Sequence, residues 1–341
     1  MKIKSVSYFK NVPAAVDFFN NWITRLSELS GTTYERINLK TALGETVVWG
    51  INADRADLKP VVIFPGFRTS SLFWDLDNAL KSLKKDFRIF LVETNGQPNL
   101  SEGNTPDIKS NDYGAWAADV LKKLDVEKAI IAGASFGALV SLKLCIVAPR
   151  LVEKAILLNP GCLRSFSLSW RNLYYNFLPL VSPTAENVER FLDNAVFYQD
   201  KHVVSPAAKK LIIEYELFAI KQYRDKTQKP YPMKANELED VISDVYVLVG
   251  DKDLLFPYHE SVKAARKYIR TLRGICVLSD TGHGIETSGK AMEIVAALAS
   301  GNEESLLNEV PGMSHSQYIP LATERIDESE RVKAVRAGSD W

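Results

Sequence analysis

The segment that most constrains the fold is a short apolar run followed at once by two glycines that flank a serine. Residues 130–138 read Ile-Ile-Ala-Gly-Ala-Ser-Phe-Gly-Ala, a G-x-S-x-G sequence. The run is typical of a buried strand, and the apolar residues of 136–147 indicate a helix. The positions two before and two after the serine come very close in such a turn, so glycine suits Gly133 and Gly137. We therefore predict a strained strand-to-helix turn that exposes the hydroxyl of Ser135 at the edge of a sheet.

The rest of the chain alternates between short apolar runs and amphipathic segments. The sequence predicts strands at 34–40, 46–52, 61–64, 87–92, 128–132, 152–158, 245–249 and 274–278. Helical periodicity marks 12–29, 74–84, 112–124, 136–147, 258–269 and 290–298. Short apolar strands separated by helices favour a mostly parallel central sheet with helices on both faces.

The alternation divides the chain into five predicted parts. These are an N-terminal helix with the first two strands (1–55), a first core part (56–160), a helical insertion (161–235), a second core part (236–300) and a polar tail (301–341). Residues 165–235 hold 12 of the 34 aromatic residues of the chain. Most of these aromatics are expected to form the core of the insertion itself. The role of the tail stays open.

Composition narrows the possible partners. Lys plus Arg and Asp plus Glu both number 42, so no net charge would recruit nucleic acid or an anionic membrane. Cys145, Cys162 and Cys276 are too few for a disulfide framework and lack metal spacing, which indicates buried thiols in a reducing compartment. The apolar stretch 129–148 divides better into strand, turn and helix than into a membrane span. We expect a cytoplasmic protein with a small-molecule substrate and with no nucleic-acid or membrane partner.

A serine nucleophile needs a base, and one of the four histidines has a suitable setting. His283 lies in Thr-Gly-His-Gly-Ile, after a predicted strand and before the last helix. Glycines on both sides let a loop project the imidazole. The other histidines lie in the insertion, at a helix start and in the tail: His202, His259 and His315. For the carboxylate that would orient the base, Asp251 and Asp253 both lie on the turn after strand 245–249, and the residues alone leave the choice open.

These features resemble the α/β-hydrolase superfamily, and in particular its capped, serine carboxylesterase-like members. The resemblance covers about 61–300, with a cap inserted between residues 160 and 245. The order Ser135, Asp253, His283 agrees with that family. The family's G-x-x-D-x-x-x-P turn matches Gly250, Asp253 and Pro257, which favours Asp253 over Asp251.

The resemblance also implies an oxyanion hole made by the backbone N–H groups of Phe136 and Phe67. Here the chain departs from the family, because Pro65-Gly66-Phe67 stands where such proteins often carry His-Gly. The donor is a backbone group, so Phe67 remains the expected second donor. The next residue, Arg68, could bind an anionic group of a substrate, although an arginine that is simply exposed is the commoner case. No metal or organic cofactor is implied.

The expected activity is hydrolysis of an ester or related acyl bond of a small, partly apolar substrate through an acyl-serine. Aromatic residues of the cap would contact the apolar part of that substrate: Trp170, Tyr174, Tyr175 and Phe177. Two alternatives stay open. The same residues could serve a carbon–carbon bond hydrolase or perhydrolase, or a receptor-like module that binds a ligand with little turnover.

Overall fold

The predicted alternation of strands and helices is present in the computed structural model, which describes residues 1–198, 204–306 and 316–321. In chain order the strands are β1 (Ile3–Val6), β2 (Tyr8–Phe9), β3 (Glu35–Thr41), β4 (Gly44–Ile51), β5 (Lys59–Phe64), β6 (Phe87–Val92), β7 (Asn104–Pro106), β8 (Ala129–Ala134), β9 (Val152–Leu158), β10 (Tyr223–Arg224), β11 (Asp244–Gly250), β12 (Leu272–Leu278) and β13 (Gln317–Pro320). The helices are α1 (Val12–Ser30), α2 (Leu83–Asp86), α3 (Asp112–Lys123), α4 (Phe136–Val147), α5 (Trp170–Val181), α6 (Ala185–Phe191), α7 (Pro206–Gln222), α8 (Ala235–Glu239), α9 (Tyr258–Tyr268) and α10 (Gly289–Ser300).

Nine of these strands form one sheet in the order β3-β4-β6-β5-β8-β9-β11-β12-β13. The six strands from β6 to β12 in that order run parallel, and the remaining pairings are antiparallel. The predicted fold class is confirmed. Parallel strands bring their carboxyl ends to one edge of the sheet, and the loops after β5, β8, β9, β11 and β12 therefore meet there.

Successive residues of a strand point to opposite faces of the sheet, so the apolar central strands need cover on both faces, and helices supply it. On β5, Val61 and Ile63 pack in the core on the side of α1 and α10. Val62 and Phe64 pack on the other side, with residues of α3 and α4. The central strands are therefore mostly apolar, and their charged residues lie near their amino ends, as expected for a sheet buried on both faces.

The helical insertion follows β9 and precedes β11. It contains α5, α6, a π-helical turn at Leu192–Val196 and α7. The two-residue strand β10 after α7 pairs with β2, and β1 pairs with β7. These short pairings tie the N-terminus to the insertion and to the loop after β6, and the sequence patterns did not reveal them. The division into five parts stays a prediction.

The described residues of the polar tail form a 3₁₀ turn at Glu303–Leu306 and the strand β13, which pairs with β12. Residues 307–315 and 322–341 lie outside the described residues. All three cysteines are free and buried, as predicted. The stretch 129–148 forms β8, a turn and α4, and no helix among the described residues is long and apolar enough to cross a membrane.

The amphipathic segment 74–84 is not a single helix. A 3₁₀ helix at Ser71–Lys81 is interrupted at Leu76, Asp77 and Asn78, and α2 follows it. At this break, the buried carboxylate of Asp75 accepts hydrogen bonds from Thr32 Oγ1 at 2.9 Å and Tyr34 OH at 2.7 Å. Lys84 Nζ lies 2.6 Å from the same carboxylate. The network fixes the loop between α1 and β3 against the segment that follows β5.

We predict that Asp75→Asn lowers the free energy of unfolding by about 3 kcal/mol, because it leaves the ammonium of Lys84 without its counter-charge. Urea denaturation followed by circular dichroism measures the change. The matched control is Asp57→Asn, since Asp57 pairs with Arg55 at 2.7 Å on the surface. That exposed pair should contribute far less to stability than the buried one, because solvent screens it. Equal losses in the two variants would contradict a stabilising role for the Asp75 network.

Candidate active site

Ser135 lies on the turn between β8 and α4, in a backbone conformation that side chains rarely adopt, with φ 50° and ψ −103°. A Cβ atom on Gly133 would lie 2.4 Å from the carbonyl oxygen of Gly137. A Cβ atom on Gly137 would lie 2.0 Å from the carbonyl oxygen of Phe64. Both glycines are therefore required by close approach of backbone, as the G-x-S-x-G spacing predicts.

Asp253 and His283 meet at the carboxyl edge of the sheet, although 30 residues separate them. His283 Nδ1 lies 2.8 Å from Asp253 Oδ2, and both side chains are buried. The other oxygen, Asp253 Oδ1, accepts the N–H groups of Leu255 at 2.8 Å and Phe256 at 2.9 Å. These bonds fix the carboxylate so that one oxygen is directed to the imidazole.

Asp251, the alternative acid, is placed differently. Its carboxylate forms a partly exposed ion pair with Lys252 at 3.2 Å. The neighbouring Lys252 N–H donates to the carbonyl oxygen of Thr281 at 2.9 Å. The structure thus places Asp253, and not Asp251, against His283.

Asn159 holds the histidine loop, and the sequence reasoning missed it. Its Nδ2 donates to the carbonyl oxygens of Gly282 and His283, both at 2.9 Å, and its Oδ1 accepts the N–H of Gly250 at 2.8 Å. One side chain therefore joins the ends of β9 and β11 to the loop after β12. Its signal in the sequence is the Asn-Pro dipeptide directly after a strand, which only indicates a turn.

Ser135 and His283 share neighbours on this edge of the sheet. A Cβ atom on Gly161 would lie 3.2 Å from Ser135 Oγ and 3.3 Å from the Phe256 ring. The Phe256 ring centroid lies 5.4 Å from that of His283. Within the described residues no hydrogen bond joins Ser135 Oγ to the imidazole. Nucleophile–base contacts are often loose in the absence of substrate and tighten when it binds.

The two expected oxyanion donors lie on neighbouring elements. Phe136 is the first residue of α4, where a backbone N–H has no partner inside the helix. Phe67 follows Gly66, and a Cβ atom on Gly66 would lie 3.8 Å from the Cβ of Ser135. The rings of Phe67 and Phe136 pack edge to face with centroids 6.0 Å apart. Both backbone N–H groups therefore belong to segments next to Ser135.

A second buried carboxyl group, that of Glu286, faces the same space. A Cβ atom on Gly66 would lie 3.8 Å from its Oε1, and burial raises the pKa of Glu286. Burial alone would lower the pKa of His283. The charge and hydrogen bond of Asp253, with a contribution from Glu286, outweigh burial, so the pKa of His283 lies above its ordinary value. A carboxylate on Asp253 thus stabilises the imidazolium that forms when the His283 ring takes up a proton.

The four aromatic residues expected to bind substrate all lie on α5. Trp170, Tyr174 and Phe177 are exposed, with 81%, 45% and 53% of their surfaces accessible. Tyr175 is half-buried against Tyr174, at a centroid separation of 5.1 Å. Their contact with substrate stays a prediction. The aromatic residues that pack toward His283 are Phe256 and, behind it, Phe166 at 5.8 Å from Phe256.

Of the other three histidines, the structure describes only His259. His259 stacks on Tyr258 at a centroid separation of 3.9 Å, at the start of α9. His202 and His315 lie outside the described residues. Among the residues that the structure describes, no group of three or more His, Cys, Asp or Glu side chains could hold a metal ion.

Comparison with known proteins gives a family and several relatives. The model of a family described as "Alpha/beta hydrolase family" matches residues 61–297. A relative from Bacillus subtilis (strain 168), named "Uncharacterized carboxylesterase nap", is 25% identical over 254 residues, which cover 72% of this chain and 79% of that protein.

Solved structures show the same fold. The carboxylesterase CesB (YbfK) from Bacillus subtilis superposes with a TM-score of 0.70 at 19% identity, covering 85% of this chain and 99% of that one. The naproxen esterase (carboxylesterase NP) from Bacillus subtilis superposes with a TM-score of 0.67 at 21% identity, covering 85% and 96%. At these identities the likeness concerns the fold.

We predict that Gly137→Ala destabilises the protein by at least about 2 kcal/mol, because its methyl group would collide with the carbonyl oxygen of Phe64. Gly289→Ala is the control, since a Cβ atom there meets nothing within 4 Å at the start of α10. It should leave stability unchanged or raise it by up to about 1 kcal/mol. Urea denaturation compares the two, and a Gly137→Ala variant as stable as the control would disprove the close approach.

Proposed function

This chain belongs to the alpha/beta hydrolase family, and from that premise we propose that it is a serine esterase whose nucleophile, base and acid are Ser135, His283 and Asp253. The observation that carries the proposal is the 2.8 Å contact between the buried side chains of His283 and Asp253. It lies on the same sheet edge as the strained turn that presents Ser135. A serine beside an oriented imidazole is the arrangement that acyl transfer requires.

In the first half of the reaction, Ser135 Oγ attacks the carbonyl carbon of the ester while His283 Nε2 removes its proton. Asp253 accepts the Nδ1–H of the ring and stabilises the imidazolium that forms. The imidazolium then gives its proton to the leaving alcohol as the carbon–oxygen bond breaks. The products of this half are a free alcohol and an acyl group bound to Ser135.

In the second half, His283 removes a proton from water, and the resulting hydroxide attacks the acyl-serine. The proton returns through His283 to Ser135 Oγ, and the carboxylic acid leaves. In both halves the negative oxygen of the tetrahedral intermediate binds the backbone N–H groups of Phe67 and Phe136. Such a donor contributes roughly 2.7–4 kcal/mol to lowering the barrier.

The esterase assignment rests on the relatives as well as on the site. The B. subtilis relatives are named carboxylesterases, and one is named a naproxen esterase. An ester with an apolar part fits the phenyl rings beside the site, Phe67, Phe166 and Phe256. A panel of esters, vinylogous diketones and peroxide-dependent substrates separates this activity from carbon–carbon bond hydrolysis and perhydrolysis on the same residues.

We predict that Ser135→Ala abolishes both turnover of p-nitrophenyl butyrate and covalent labelling by a fluorophosphonate probe, because the variant lacks the nucleophile. Ser300→Ala, which changes an exposed serine of α10, should keep both. Circular dichroism establishes that the variants are folded. Multiple turnovers by the parent would also exclude a receptor-like module that reacts only once. Retention of the parental rate in Ser135→Ala would reject Ser135 as the nucleophile.

We predict that kcat/KM falls on acidification, because protonated His283 cannot act as a base. The contact with Asp253 raises the pKa of His283, so the midpoint of the acid limb of the pH–rate profile should lie above about 6.5.

Asp253→Asn should cost about 10⁴-fold in kcat and move the acid limb of the profile to lower pH. Asp251→Asn should stay within about threefold of the parent, a change of less than about 0.7 kcal/mol. A pH–rate profile on all three proteins measures this, and the reverse ranking of the two variants would reassign the acid.

A further inference from the structure

Arg68 lies in the loop after β5, one residue beyond the oxyanion donor Phe67, and the proposed mechanism gives it no role. Its backbone has φ 63°, in the left-handed region. Eight residues other than glycine have a positive φ in the described part of the chain, and six of them are Asn or Asp, which tolerate this region. The other two are Ser135 and Arg68. A bulky residue in this conformation is expected where its side chain has a function.

The loop around Arg68 is held in place by a buried partner. The N–H of Arg68 donates to Gln97 Oε1 at 2.7 Å, and Gln97 is fully buried. Within the described residues, the Nε2 of the same amide has no hydrogen-bond partner. Gln97 thus fixes the backbone of Arg68 through its Oε1, while the buried Nε2 of the same side chain keeps a donor that no described group accepts.

Arg68 as a residue is half-buried and not fully exposed. Among the described residues its guanidinium makes no hydrogen bond and no ion pair within 4 Å. Other arginines are paired, such as Arg25 with Glu214 at 2.6 Å and Arg273 with Asp244 at 3.0 Å. A guanidinium that is partly removed from water and forms no ion pair within 4 Å can bind an anion.

Helix α7 of the insertion packs beside the segment that holds the backbone of Arg68, because Tyr215 OH donates to the carbonyl oxygen of Pro98, the residue after Gln97, at 2.8 Å. Glu216, a half-buried residue of α7, has a pKa that burial raises to about 7, and the charge of Arg68 opposes this rise. Burial also raises the pKa of Tyr223, the residue that follows α7, and the charge of Arg68 opposes this rise too. Arg68 therefore follows the oxyanion donor Phe67 in the chain and lies close enough to the insertion for its charge to act on Glu216 and Tyr223.

We propose that Arg68, with the free amide donor of Gln97, forms a subsite for a carboxylate, so that the substrates of this enzyme are esters that also carry a free carboxylate group. This inference rests on the proposed esterase function, because the subsite is defined relative to an acyl group on Ser135. The planar guanidinium can hold both oxygens of a carboxylate. The subsite explains why an arginine occupies a backbone position that glycine would adopt without strain.

The test compares matched esters on matched variants. The monoethyl esters of succinate, glutarate and adipate are assayed at pH 7.5 against neutral ethyl esters of the same chain length. For the parent we expect kcat/KM for the best half-ester to exceed that of its neutral counterpart at least tenfold. In Arg68→Gln and Arg68→Gly this ratio should fall by about 10- to 100-fold, the loss typical of a hydrogen bond to a charged group. Glycine fits the left-handed backbone, so Arg68→Gly separates loss of the side chain from collapse of the loop.

Arg266→Gln is the control variant, because it removes an exposed arginine of α9 and should keep the parental ratio. A second measurement does not need turnover. Titration calorimetry of monoethyl adipate should detect binding to Ser135→Ala and at least tenfold weaker binding to the variant that also carries Arg68→Gln. A parent with no preference for half-esters, or binding that is independent of Arg68, overturns the subsite. Failure of the esterase proposal itself is recognised separately, as equal activity of the parent and Ser135→Ala on every ester.

Discussion

The close contact between backbone segments at the turn that carries Ser135 is the constraint on which the rest of the carboxyl edge of the sheet depends. The carbonyl of Gly137 closes on Gly133, and the carbonyl of Phe64 closes on Gly137, so β5, β8 and the start of α4 are held together without side chains between them. This packing fixes three things at once. It forces Ser135 into its unusual conformation, it sets the first N–H of α4 beside the hydroxyl, and it brings the loop after β5 within reach of the same point.

The central strands and the serine turn could be predicted from short sequence patterns, because the residue types that form them are neighbours in the chain. The apolar runs gave the central strands to within a few residues, since a sheet buried on both faces leaves no place for polar side chains. The serine turn was predictable because the spacing of its two glycines around the serine is a short pattern, although the contact that requires Gly137 is with the distant Phe64. The choice of Asp253 over Asp251 was different: both lie on one turn, and the residues alone left it open until the resemblance to a family favoured Asp253.

The remaining features depend on distant contacts that no short pattern records. Asn159 reads as a turn residue, yet it holds together the ends of three elements separated by more than 120 residues. The strands β1, β2 and β10 are two to four residues long, and their pairing arises only once the fold has placed them side by side. The aromatic residues of α5 were predicted to contact substrate because the insertion is rich in aromatic residues. Composition does not distinguish a helix face that packs on the core from one that is exposed to solvent. Burial is a property of the assembled chain.

Residues with strained backbone conformations cluster at the carboxyl edge of the sheet. Arg68, Ser135 and Asn159 each follow a parallel strand, β5, β8 and β9, and each has a positive φ. Such conformations cost of order 1–3 kcal/mol each, and they persist only where the surroundings fix them. Here the two-sided core holds the strands, and the ends of those strands carry the strain. The stability of the sheet is thus what permits Ser135 and Arg68 to be held in conformations that neither would adopt alone.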